Sequence, residues 1–143
     1  MNPQLHFITL ATEDLDAVRA FYRDGLGWKP SLDVAGEIIF FQVAPGLTLG
    51  FFDADKFGQD LGLSGPVGAV NGITFAHNVG SRDAVEESAR KVVAAGGTVL
   101  MEPQEGAFGG VYHAYISDPN GVVWEIAYNP GWRIADDGTV VFG

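Results

Sequence analysis

The stretch Asp118-Pro119-Asn120-Gly121-Val122-Val123-Trp124-Glu125-Ile126-Ala127-Tyr128 decides how this chain is read. Asp, Pro, Asn and Gly in succession are turn residues: the Asp side chain can bond the backbone two residues on, Pro presets φ, and Gly accepts positive φ. Val122 to Tyr128 is rich in β-branched and aromatic residues and reads as a strand, as does Val111 to Ser117 ahead of the turn. Working outward, Thr98 to Met101 is a further strand, and Gly96-Gly97 before it stops a helix. That helix has Ser81 as its cap and Asp83, Glu86 and Glu87 in its first turns, with Arg90 and Lys91 following. Its apolar stripe is Val85, Ala89, Val92 and Val93. The order from residue 71 to residue 130 is therefore strand, helix and three strands.

The first half repeats that order. Leu5 to Ala11 reads as a strand, and Thr12 is the expected N-cap of a helix with Glu13 and Asp14 beside it. Leu15, Val18, Phe21 or Tyr22, and Leu26 recur at helical spacing until Gly25 and Gly27 end the helix. An extended stretch over Lys29 to Asp33, a strand from Glu37 to Val43, a Pro45-Gly46 turn and a strand from Leu47 to Asp53 complete it. Ile8-Thr9-Leu10-Ala11 is echoed by Ile73-Thr74-Phe75-Ala76 at an offset of 65, and Asp16-Ala17-Val18 by Asp83-Ala84-Val85. A period this long marks duplication of a supersecondary unit and not a solenoid repeat. The expected fold is α+β: one domain over residues 1–143 built from two tandem βαβββ modules. Module one covers about residues 5–53, a Gly- and Asp-rich connector 54–70, module two 71–130, and a hairpin-like tail 131–143.

Composition narrows the function classes. The chain has 143 residues, 47% of them apolar, including ten Phe, enough to bury roughly two-thirds of its unfolded surface. With no cysteine it has no disulfide framework, thiolate nucleophile or thiolate metal site. Eight basic against 18 acidic residues leave a net charge of −10, which repels phosphate backbones and makes nucleic acid an unsuitable partner. The same charge favours a cationic ligand, or simply keeps the surface solvated. No apolar run reaches the ~18 residues of a membrane span, and Met1 to Leu10 lacks the pattern of a secretory leader. A cytoplasmic protein with no membrane association is the expectation.

The element order, with Asp118-Pro119-Asn120-Gly121 leading into Trp124-Glu125-Ile126, resembles the vicinal oxygen chelate superfamily, which includes glyoxalase I, extradiol dioxygenases and bleomycin-resistance proteins. Ile8 to Ala11 through Phe21-Tyr22 to Leu26-Gly27 carries the rest of the likeness, which spans about residues 5 to 130. The resemblance implies curved mixed sheets enclosing a cavity and, in metal-dependent members, a divalent cation held by the first and last strands of each module. Carried over residue by residue, the four ligand positions fall on Phe7, Gly50, Gly72 and Glu125. Only Glu125 has a coordinating side chain, whereas a stable transition-metal site needs three or four protein ligands. His6 lies one residue from the implied position, and strand alternation turns it to the other face unless a bulge intervenes. No metal and no other cofactor is expected.

Strand alternation, with the family's parity, lists the residues that line such a cavity: Phe7, Thr9, Thr48, Phe52 and Thr74 as ligand-binding groups, with His113, Tyr115 and Glu125 beside them. Glu125 is the expected catalytic group, because a carboxylate in an apolar pocket has its charged form disfavoured and is tuned toward acid-base work, with His113 orienting it or sharing its proton. The alternative is a buried glutamate satisfied by Tyr115, His113 or the backbone. His77 reads as a residue of the strand-helix junction, Phe40-Phe41 as a strand with one face in the core, and Trp28, Trp124 and Trp132 as packing groups, with Trp124 facing outward toward a partner subunit. Glu105 to Gly110 and Asp53 to Gly68 read as loops able to cover a ligand; neither has phosphate-binding spacing before a helix.

Two functional classes follow, beside a third in which the fold is used mainly for assembly. One is a metal-independent member of the superfamily that binds a small organic molecule, cationic or aromatic, and either sequesters it or transforms it by lyase or isomerase chemistry through Glu125. The other is a metal-dependent lyase or dioxygenase with atypical ligands drawn from Glu125, His113 and His6. A homodimer is the expected assembly, since members of the superfamily are often dimers.

Overall fold

Alternation of apolar residues along four short segments, with one amphipathic helix to cover them, gives the first half its sheet. In the computed structural model, which describes residues 1, 3, 5–66, 68, 72–107 and 110–142, these segments are β1 (Phe7–Thr12), β2 (Leu32–Val34), β3 (Ile38–Ala44) and β4 (Leu47–Asp53). They lie in the order β1-β4-β3-β2, with β1 parallel to β4 and the other pairs antiparallel. Helix α1 (Leu15–Val18) continues into a π-helical segment, Arg19–Gly25. The wider turn, in which Leu26 N donates to Phe21 O at 2.8 Å, lets the adjacent residues Phe21 and Tyr22 both point inward, at 1% and 0% exposure. Tyr22 packs against Phe41 and Phe51, and Leu10, Ile39 and Leu49 are buried as well. Trp28 closes this cluster against Tyr22 and Phe41.

Three expectations change in this half. The helix is capped by Asp14, whose side chain accepts from Ala17 N at 2.9 Å; Thr12 is still in β1, opposite Asp53, and bonds Asp14 N instead. The extended stretch becomes a strand only at Leu32–Val34, where the nearly buried Arg19 bonds Asp33 Oδ1 at 2.8 Å and the Val34 carbonyl at 3.0 Å. The connector opens with helix α2 (Ala54–Asp60), capped by Asp53, which accepts from Lys56 N at 3.0 Å. Phe57 of α2 stacks on Phe52, and the chain returns over Gly58 so closely that a side chain there would strike the Gly65 carbonyl. Gly and Asp here are a cap and a contact point rather than signs of a loop.

The second half repeats the plan with β5 (Thr74–Asn78), α3 (Arg82–Ala94), β6 (Thr98–Glu105), β7 (Tyr112–Ser117) and β8 (Val123–Tyr128) in the order β5-β8-β7-β6. Ser81 caps α3 through Ala84 N at 3.1 Å. The helix buries Val85 and Ala89 against Ala114, Ile116 and Ile126. The turn that opened the sequence reading is built as its residues require. Asp118 Oδ1 accepts from Asn120 N and Val122 N at 2.9 and 2.7 Å, and Gly121 takes φ +80°. Trp124 packs against the α3 cluster and edge-on to Phe75, where it is half-buried. His77 lies within β5 rather than at its junction with the helix, because pairing with β8 continues to Asn78. Strand β6 runs on to Glu105 through two register shifts, with Pro103 tolerated because β6 is an edge strand. A hairpin of β9 (Trp132–Ile134) and β10 (Val140–Phe142) forms the tail.

The chain thus consists of two tandem βαβββ modules, an α+β architecture of two four-stranded mixed sheets, in two compact units, Met1–Ile73 and Thr74–Gly143. Among the described residues no helix is long and apolar enough to cross a membrane.

Candidate functional site

Alternation along β7 sends Ala114 and Ile116 toward α3 and His113 and Tyr115 to the opposite face. Along β8 it sends Ile126 toward α3 and Glu125 to that same opposite face. The antiparallel register then places Tyr115 directly across from Glu125, and His113 one step away across from Ala127. His113 Nδ1 lies 2.6 Å from Glu125 Oε1, and the Tyr115 hydroxyl donates to the same oxygen at 3.3 Å. The rings of His113 and Tyr115 are 5.0 Å apart. The imidazole side chain is 15% exposed and the carboxylate 23%, so the cluster is sheltered but reachable. Burial and the adjacent Glu125 carboxylate push the Tyr115 phenol above its ordinary value, which keeps it a neutral donor.

The short contact fixes that Nδ1 of the ring faces the carboxylate, while Nε2, on the opposite side of the imidazole, points away from it. The sequence reading gave the working role to Glu125, with His113 orienting it or sharing its proton, and the structure brings these two side chains into contact. Gly106, which the sequence reading placed in the Glu105 to Gly110 loop without a role of its own, lies beside His113 Nε2. A side chain there would come within 3.2 Å of His113 Nε2 and 2.9 Å of the Val111 carbonyl. The signal was a glycine-rich run just before β7, whose Phe108 and Gly109 lie outside the described residues.

The remaining expected ligand-binding residues fall on the matching faces of the two sheets. Thr74, across from Val123, shares the face of Glu125. In the first module Phe7, Thr9, Thr48 and Phe52 all lie on the face away from α1, together with Phe40, whose ring is 5.5 Å from that of Phe7. His6 precedes β1 and is exposed; its carbonyl accepts from Thr48 N.

Pairing registers also correct the alignment of the two halves. Phe40 faces Gly50 as Tyr115 faces Glu125, and Ile38 faces Phe52 as His113 faces Ala127. With Gly50 matched to Glu125, Thr9 matches Ala76 and Phe7 matches Thr74. Gly72 lies before β5 in a left-handed turn, φ +76°, and holds no place in the sheet. The four family ligand positions are therefore Phe7, Gly50, Thr74 and Glu125. Two have no donor atom, one has a neutral hydroxyl, and only Glu125 has a ligand of the type such ions require. Among the described residues no three His, Cys, Asp or Glu side chains gather as a metal site would need. The side chains at these positions do not fit a divalent metal.

Comparison with known proteins agrees with this architecture. The model of the Glyoxalase/Bleomycin resistance protein/Dioxygenase superfamily matches residues 4–126, and the chain belongs to that superfamily. A glyoxalase-related enzyme from Fulvimarina pelagi is 36% identical over 99% of both chains, with a TM-score of 0.83. A lactoylglutathione lyase from Agrobacterium tumefaciens is 26% identical over 88% of this chain and 93% of its own, with a TM-score of 0.67. A glyoxalase/bleomycin resistance protein/dioxygenase from Nocardioides shares the fold at 24% identity and a TM-score of 0.73, over 92% of this chain and 87% of its own. No curated protein matches the chain significantly.

Proposed function

We propose that this protein binds a small organic molecule and moves a proton on it without a metal, with His113 Nε2 as the base and Glu125 as the residue that orients and compensates it. The observation that carries this reading is the 2.6 Å contact between His113 Nδ1 and Glu125 Oε1 on the sheet face away from α3. A carboxylate behind an imidazole holds the ring in one tautomer and stabilises the imidazolium that forms when the other nitrogen takes a proton. The reaction class is lyase or isomerase chemistry that begins with proton removal from the ligand. Thr74 and Tyr115, on the sheet face of Glu125, are the proposed ligand contacts beside it, and Phe7, Thr9, Thr48 and Phe52 are the candidates on the first module's own sheet. A cationic or aromatic ligand suits the net charge of −10 and the aromatic side chains. A cytoplasmic location and a homodimer belong to the same proposal.

Elemental analysis and a ligand screen test the reading. Protein purified without chelator and without metal-affinity capture should contain no stoichiometric transition metal; a full complement would return the metal-dependent alternative. Compounds that raise the melting temperature are then followed for product. Glu125→Gln should abolish turnover of such a compound while binding stays within several-fold, and unchanged turnover would remove Glu125 from the mechanism. Binding with no product by the wild-type protein would leave sequestration as the function.

A further inference from the structure

Position 50 is the place where the first module should carry the counterpart of Glu125, and the structure shows what stands there instead. Gly50 faces Phe40 across the β3–β4 pair. A Cβ added to Gly50 would lie 2.8 Å from both Cδ1 and Cε1 of the Phe40 ring, and 3.7 Å from Thr9 Oγ1. Gly50 is buried, although it has no side chain of its own and its φ lies outside the left-handed region. Its backbone is one any residue can adopt, so glycine is required here for space and not for conformation. The Phe7 ring lies 5.5 Å from it at 60°, with Phe40 half-buried and Phe7 54% exposed.

We propose that the Phe40 ring has taken over the room of the metal ligand in the first module, so that this position is closed to a metal by packing and not merely by the lack of a carboxylate. The equivalent pair in the second module shows the open arrangement: Tyr115 stands beside Glu125 and donates to it instead of covering its position. Restoring a carboxylate at position 50 alone does not restore a ligand, because the side chain must first displace the Phe40 ring. The inference deepens the metal-independent reading, yet is separable from it, since its first test measures packing in the first module and involves neither His113 nor Glu125.

A double-mutant cycle on Gly50→Ala and Phe40→Ala decides it. In the wild-type background Gly50→Ala should lower the melting temperature by about 3–10 °C, and in the Phe40→Ala background the same change should cost nothing or raise it. Equal effects in both backgrounds would overturn the interlock. In a second arm Gly50→Glu is dialysed against Zn²⁺, Ni²⁺ or Mn²⁺ and analysed for bound metal. No gain over the wild-type protein is expected, and a stoichiometric metal in Gly50→Glu would overturn the proposal. Should Gly50→Glu fail to fold, the alanine cycle still decides the question.

Discussion

The two modules share strand order, pairing registers and a helix on one face, yet the opposite faces of their sheets differ in kind. At three matched positions the first module has Ile38, Phe40 and Gly50, and the second has His113, Tyr115 and Glu125. The cores differ in the reverse sense. Tyr22, Phe21, Phe41, Phe51, Ile39 and Val18 are the largest fully buried side chains of the first module, against Ile116 and Val85 in the second. Fully burying one such side chain contributes roughly 1.5–3 kcal/mol, so the first module has apolar burial to spare. The second instead places a partly buried polar cluster, in which every member must be bonded to be tolerated. The scaffold is common to both modules, and the polar cluster is present in one.

The sharpest way to break this comparison is to exchange the matched positions. His113→Ala should lower turnover of a converted ligand by ~10²–10⁴-fold, whereas Ile38→Val, at the counterpart position, should leave it nearly unchanged. If the two variants lose activity alike, the division of labour is wrong. A smaller effect concerns stability. Asp33→Ala leaves the nearly buried Arg19 without its main partner, with side-chain exposures of 9% and 27% in the pair, and should cost about 1–2 kcal/mol in urea unfolding. Glu87→Ala in α3 breaks an exposed pair with Lys91 and should have no measurable effect. The smallest effect is on pH dependence. Burial and Glu125 raise the Tyr115 phenol above its ordinary value of 10.0. The stability that comes from holding the phenol neutral is complete below that value and is lost as pH rises through the raised one. Tyr115→Phe should therefore flatten the fall in melting temperature above pH 10; an unchanged slope would place the phenol in water.

Much of this was legible in the chain itself. The turn at Asp118 to Gly121 and the repeated order of elements identified the fold, because turn chemistry and strand composition are local properties. Alternation along β7 and β8 was enough to place His113, Tyr115 and Glu125 on one face. What could not be read was the pairing between strands. The echo of Ile8 to Ala11 in Ile73 to Ala76 aligned Phe7 with Gly72, while the hydrogen-bonded register aligns it with Thr74. Nor could spacing reveal that Phe40 covers Gly50, or that Glu125 directs its oxygen to His113 Nδ1. Helix α2 was missed because Asp53 caps and Gly58 packs, while composition alone counts both as breakers.

The central claim is that Glu125 fixes the tautomer of His113, and long-range ¹H–¹⁵N NMR of the imidazole nitrogens tests it most directly. The wild-type spectrum at a pH where the ring is neutral should show the hydrogen on Nδ1 and a lone pair on Nε2, and Glu125→Gln should lose that preference. A hydrogen on Nε2 in the wild-type protein, or a spectrum indifferent to Glu125→Gln, would contradict the account.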